Sequence, residues 1–218
     1  MKWVKSNSLC LVFFAIFLIS LVGQAITGLK EYNQKMKEDH GRQVSFTQYL
    51  GTGHFIETTF ENWESEFLQM ALFVMLTIFL YQRGSSESKD PDGGEEEVDK
   101  EPNPRKKDAP WPVKQGGWVL AIYKNSLSIA FLLLFLLSFA LHFYGSFKDY
   151  NLEQSLKGKH VETAMQYLGD SKFWFESFQN WQSEFLSVLA VVFLSIYLRQ
   201  KGSPQSKPVD APHLQTGE

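Results

Sequence analysis

The sequence predicts an all-α transmembrane protein, a four-helix bundle built from two tandem, parallel two-span repeats. Three observations predict it. Apolar residues are gathered into four runs, and the rest of the chain is polar. The two halves align without a gap when the chain slides by 118 residues. Tryptophan and basic residues flank the runs, as anchors at a membrane interface do.

The runs come first. A span needs about 20 apolar residues to cross roughly 30 Å of hydrocarbon. Between Lys5 and Lys30 no residue carries an acidic or basic charge, and Leu9 to Ile26 is the apolar heart. Between Lys124 and Lys148 the pattern recurs, with His142 the one side chain that titrates near neutral pH. Phe67 to Gln82 and Phe185 to Leu198 are also free of charge. As helices they would reach only about 24 and 21 Å. Either the bilayer thins around them or Glu66 and Glu184 are drawn into its edge. Trp63 and Trp181 stand before these runs; Arg83, and Arg199 with Lys201, stand after them. The first run has a second reading as a secretory signal, with Lys2 and Lys5 at its start and Gly23-Gln24-Ala25 resembling a cleavage site. The repeat outweighs it, because the equivalent segment of the second half is internal.

In the repeat, Asn7-Ser8-Leu9 falls on Asn125-Ser126-Leu127, and Lys30-Glu31-Tyr32-Asn33 on Lys148-Asp149-Tyr150-Asn151. Gln48-Tyr49-Leu50-Gly51 falls on Gln166-Tyr167-Leu168-Gly169. Gln82, Gly84 and Ser85 meet Gln200, Gly202 and Ser203. About 29 of roughly 79 aligned positions are identical, far above the few that chance supplies. Each unit crosses twice, so both copies enter from one side and their axis runs along the membrane normal. Basic residues near the span ends set orientation. All the arginines except Arg42 fall on the side of the termini, which predicts a multi-pass inner-membrane protein with both termini cytoplasmic.

Residues 1–85 are the first two-span unit and 119–203 the second. Between them, 86–118 combines an acidic linker, including Glu95-Glu96-Glu97, with a segment holding Trp111 and Trp118 that suits the inner interface. Too polar to bury a core, the linker is expected to be disordered. So is the tail, 204–218, rich in Pro, Ser and Gln. In the outer loops, Phe55, Thr59, Asn62, Trp63 and Glu66 recur at helical spacing, as do Phe173, Ser177, Asn180, Trp181 and Glu184. Each set predicts a helix that starts outside and runs into the second span of its unit, with Glu57, Glu61 and Glu64 facing water.

The same spacing predicts a polar layer. Asn62, Glu66 and Gln69 share a helix face, as do Asn180, Glu184 and Ser187. Ser20, Gln24 and Gly28 form a stripe in the first span, and Ser138, His142 and Ser146 are its copy. Gln24, Asn62, Glu66, His142, Asn180 and Glu184 are therefore the candidate site residues. Ionisable groups inside a membrane usually face a bundle interior or a watery cavity, which suits a proton or cation path. Hydrogen bonding between helices explains the same residues without a ligand.

Other chemistry is thinly represented. A net charge of -3 with no long basic stretch excludes a nucleic-acid partner. The single cysteine, Cys10, excludes a disulfide framework and a Cys-based metal site. His54-x-x-Glu57 has metal-ligand spacing, but Lys172 and Phe175 replace the pair in the second unit. There is no phosphate loop, nucleophile elbow or zinc-protease motif, so no catalytic residue and no cofactor is assigned.

The blocks Glu61-Asn62-Trp63-Glu64-Ser65-Glu66-Phe67-Leu68 and Gln179-Asn180-Trp181-Gln182-Ser183-Glu184-Phe185-Leu186 have a recognisable character. So do Gln82-Arg83-Gly84-Ser85-Ser86-Glu87-Ser88-Lys89 and Ala109-Pro110-Trp111-Pro112. Together they resemble a bacterial family of small multi-span membrane proteins classed as a domain of unknown function. The resemblance implies a bacterial cytoplasmic membrane location and brings no activity. Function is therefore expected to be structural or interactive within the bacterial envelope. The lipid bilayer is one partner, a protein bound at the outer loops a second, and another copy of the chain a third. The alternative is a small proton or cation transporter or channel.

Overall fold

A computed structural model describes residues 2–94 and 96–217. Glu95 of the acidic run lies outside the described residues. The described residues form nine α-helices and no strand. They are α1 Lys2–Ser6, α2 Ser8–Glu38, α3 Phe46–Tyr49, α4 Gly53–Leu76, α5 Trp111–Gln115, α6 Gly117–Lys124, α7 Ser126–Leu156, α8 Ala164–Leu168 and α9 Ser171–Tyr197.

Two of these helices, α2 and α7, are long and apolar enough to cross a membrane. Each has 31 residues, or about 46 Å at 1.5 Å per residue. Only 6% of the apolar window of α2 and 11% of that of α7 is buried. The core helix of a water-soluble protein buries its apolar stripe, so these exposed surfaces fit lipid as their solvent. The loop helices run on into the apolar segments as the spacing predicts, in α4 and α9. The third charge-free run is not helical to its end, however. Regular helix stops at Leu76, after which the next turn tightens, Ile78 N bonding Met75 O and Phe79 N bonding Leu76 O.

Local bonds recur at a spacing of 118 residues. Asn7 Nδ2 donates to Trp3 O at 2.8 Å, ending α1; Asn125 Nδ2 donates to Ala121 O at 2.9 Å, ending α6. The Asn33 amide clamps both backbone groups of Val44, and Asn151 clamps those of Glu162. Beyond α2 and α7 the chain turns through left-handed residues, His40 at φ 57 and Gly158 at φ 64. Gly41 N then bonds Met36 O and Lys159 N bonds Gln154 O, closing both helix ends.

The chain forms two compact units. The first is residues 1–61 with 139–174, of which Met1 lies outside the described residues. Its core joins Tyr32, Met36 and Tyr49 to Leu29, Val44, Phe55 and Leu156. A second aromatic group centres on Phe173, which meets Phe139, Phe143 and Trp174 edge-on. In this unit α4 and α7 cross at backbone contact through Gly53 and Gly145.

The second unit is residues 62–138 with 175–218, of which Glu95 and Glu218 lie outside the described residues. Among the described residues of 85–110 there are turns but no helix, with ion pairs Arg83–Asp92 at 2.6 Å and Lys89–Asp99 at 2.7 Å nearby. The tail, expected to lack structure, folds back on the Gly84 turn. The Lys207 ammonium, 1% exposed, donates to the carbonyls of Gly84, Pro212, His213 and Gln215. Gly84 N donates to Thr216 Oγ1 and Gly217 N to Ser85 O. Gly84 sits at φ 85, and a Cβ there would meet His213 O at 2.5 Å. Lys207→Met removes a cation from this ring of carbonyls and is expected to cost about 2 kcal/mol of local stability. Hydrogen exchange of residues 203–217 should then quicken on the order of tenfold or more; unchanged exchange would refute the clasp.

Candidate functional site

Two buried tyrosines organise the first unit. Each follows a capping box: Ser45 with Gln48 starts α3, and Thr163 with Gln166 starts α8. Reciprocal bonding of the first backbone donors fixes such a short turn. The turns aim Tyr49 and Tyr167 inward, where both are wholly enclosed.

The two hydroxyls meet different partners. Tyr49 OH lies 3.1 Å from His54 Nδ1 and fills the space beside Gly28, where a Cβ would overlap the hydroxyl. Ser146 occupies the position 118 residues after Gly28, and its Oγ lies 2.5 Å from Tyr167 OH. Ser146 Oγ donates to Glu57 Oε1 at 3.2 Å. Lys172 Nζ donates to the same carboxylate oxygen at 2.9 Å and stands 3.5 Å from Ser146 Oγ. A line of donors thus runs from Tyr167 through Ser146 to Glu57, and Lys172 neutralises its end. Buried carboxylates persist where a cation and further hydrogen bonds share the site.

The electrostatics keep both aromatic groups of the first pair neutral. Burial, reinforced by the charges of Glu31 and Asp149, pushes the Tyr49 phenol up to about 12. Burial holds the His54 imidazole below its ordinary 6.5, against the opposing pull of Asp149 and Glu31. A neutral His54 protonated at Nε2 accepts the Tyr49 hydroxyl at Nδ1. The folded chain binds the His54 proton less tightly than the unfolded chain, so this stabilisation is complete above 6.5 and is lost as pH falls below it. The thermal midpoint in detergent should fall between about pH 7 and about pH 5 by less in His54→Gln than in the native chain. Equal falls in both proteins would contradict this.

The candidate residues divide between the units. In the first, Gln24 Nε2 donates to Thr58 Oγ1 at 3.4 Å and Thr59 Oγ1 at 3.3 Å. His142 is wholly buried, its ring 5.0 Å from that of Phe173. In the second, Asn180 Nδ2 donates to Glu176 O at 3.0 Å, and the Asn62 carbonyl accepts from Ser65 Oγ. Glu66 is exposed and Glu184 half-buried. Gln69 Nε2 reaches the Glu184 carbonyl at 3.3 Å and Ser187 Oγ at 3.1 Å.

Two acids depart from expectation. Glu57 and Glu64, expected to face water, are buried. Lys172 covers the first, and Trp181 Nε1 donates to Glu64 Oε1 at 2.8 Å. Helical spacing showed where each acid points along α4 but not what another helix brings to meet it. Spacing places Ser146 in the polar stripe of its span, but it does not single out Tyr49, Tyr167 and Lys172. The one available signal was the tyrosine retained in both copies of Gln-Tyr-Leu-Gly. His54 and Glu57 turn to separate partners, and no three His, Cys, Asp or Glu side chains gather as metal ligands among the described residues.

A family model matches residues 1–218, the whole chain. The chain belongs to that family, a domain of unknown function (DUF6766). No curated protein and no solved structure matches it. Membership bears out the expectation of a domain of unknown function read in the motifs around Trp63 and Trp181, and it assigns no chemistry to the site.

Proposed function

We propose that this chain is a structural or interaction protein of the bacterial inner membrane, held by four spans as two tandem two-span repeats, with both termini cytoplasmic. One observation carries the reading. The buried acid of the first unit is already neutralised by the chain's own Lys172 and takes a hydrogen bond from Ser146, whose Oγ also bonds the Tyr167 hydroxyl. Such a network rigidifies a fold and holds the turns beside it in place. The matched bonds at Asn7 and Asn125, and at Asn33 and Asn151, support the tandem arrangement.

Tyr49 and Tyr167 face inward, so the surface to probe is elsewhere on the same turns. Met165 on α8 is 79% exposed, and Phe46 on α3 is also exposed. A photocrosslinking residue at 165 or 46 in living cells should yield one discrete protein adduct shared by both positions. Adducts with lipid alone would refute the reading.

A second reading, passage of protons or small cations, has one observation in its favour. His142 is a titratable ring wholly buried in α7, a helix long and apolar enough to span. Membrane ionisable groups of that kind often mark ion paths. Flux into proteoliposomes that vanishes in a folded Glu66→Gln, Glu184→Gln double variant would establish it. Negligible flux in both proteins would remove it.

A further inference from the structure

We propose that residues 105–124 form a docking surface for the anionic headgroups of the membrane leaflet beside the start of α7. The inference rests on the reading of α7 as a span. It goes beyond that reading by assigning a lipid class to a segment outside the apolar run.

Charge is the first argument. Residues 102–124 hold five cations, Arg105, Lys106, Lys107, Lys114 and Lys124, against one acid, Asp108. Lys124 is engaged, 2.9 Å from Glu101. Arg105, Lys106 and Lys107 are consecutive, exposed and outside any ion pair among the described residues. Lys114 Nζ donates to the Lys107 carbonyl at 2.9 Å and ties the triad to α5. The loop curls round an open hollow of about 330 Å³ whose polar lining is Asn103, Lys106, Lys107 and Asp108, two cations against one acid. Clustered lysine and arginine beside a span bind anionic headgroups, with each residue near the surface contributing about fivefold to partitioning.

The aromatic residues supply the second argument. Trp111 is 66% exposed and Trp118 75%. Ile122 follows Trp118 by one helical turn and is exposed as well. Tryptophan has an apolar body and one N–H donor, and it settles at the level of lipid headgroups. Continuity is the third argument. Only Asn125 separates α6 from α7, so a surface on α6 adjoins the apolar wall of the span. An acidic protein would match the charges alone. A leaflet matches the charges, the tryptophans and the adjoining apolar helix together.

The test uses the full chain with Cys10→Ser and a spin label on Gln115→Cys, reconstituted into vesicles. Access of an aqueous nickel reagent to the label is compared in phosphatidylcholine and in phosphatidylcholine with phosphatidylglycerol. The expected result is several-fold protection with the anionic lipid only, lost in the Arg105→Gln, Lys106→Gln, Lys107→Gln variant. It should also be lost near 1 M salt, where the screening length falls to about 3 Å. Equal access in both lipids overturns the proposal. So does protection that survives in the triple variant, which would assign the contact to the tryptophans or to a neighbouring protein. A chain that alkaline carbonate strips from both vesicle types overturns the spanning reading itself and the inference with it.

Discussion

Lys172→Met is expected to destabilise the protein by about 2–3 kcal/mol, at or just below the lower end of the range for stranding one member of a buried ion pair. The Glu57 carboxylate is 9% exposed, and it would keep Ser146 as a donor but lose the charge that balances it. Lys172 itself is 35% exposed, so water moderates the loss. Glu57→Gln in the same chain removes the charge while its amide oxygen still accepts from Ser146. The double variant should therefore recover much of the loss, with a coupling of about 1 kcal/mol or more. The thermal midpoint in detergent, followed by tryptophan fluorescence, reads both effects. Additive losses in the double variant would show that the pair contributes no net stabilisation.

Gly145→Val should be at least as damaging. A Cβ at Gly145 would overlap the Glu57 backbone nitrogen and lie 2.9 Å from Glu57 Cα and Gly53 O. Across the crossing, a Cβ at Gly53 would meet Asp149 N at 2.5 Å and Gly145 O at 2.6 Å. Backbone cannot swing aside as a side-chain tip can, so α4 and α7 must part. Overpacking of this kind costs about 1–3 kcal/mol even where side chains give way, and here the upper end or more is expected. Separation would also move Glu57 away from Ser146 and Lys172 and expose Tyr167. Faster hydrogen exchange at Tyr167 and a lowered thermal midpoint would register it. A native midpoint would show that the crossing is looser than the structure has it. Gly23→Ala is the control, because a Cβ there meets nothing within 4 Å.

The two sites illustrate different degrees of legibility. Segregated apolar runs identified α2 and α7, because a helix long and apolar enough to cross a membrane stands in the sequence as one uninterrupted run, and composition records that directly. Period 3.6 identified α4 and α9, whose buried Thr59 and Ser177 were already in the predicted stripes. The 118-residue register anticipated where matched turns would occur, such as those at Asn33 and Asn151. Gly145 and Gly53 gave no comparable signal. Their copies are Thr27 and Ser171, and a lone glycine in a helix reads only as a weak helix former.

The sequence by itself determined the all-helical class, the two apolar helices and membership of a family whose model matches the whole chain. These are properties of neighbouring residues, set by solvent preference and helical period. Tertiary structure alone decided that Glu57 meets Lys172 and that Glu64 meets Trp181, pairs 115 and 117 residues apart. It alone decided that Tyr49 turns to His54 while Tyr167 turns to Ser146. A polar side chain's role depends on the partner that another helix delivers to it. Delivery is fixed by how closely backbones approach, here at Gly53 and Gly145, and a one-dimensional pattern carries no measure of that distance.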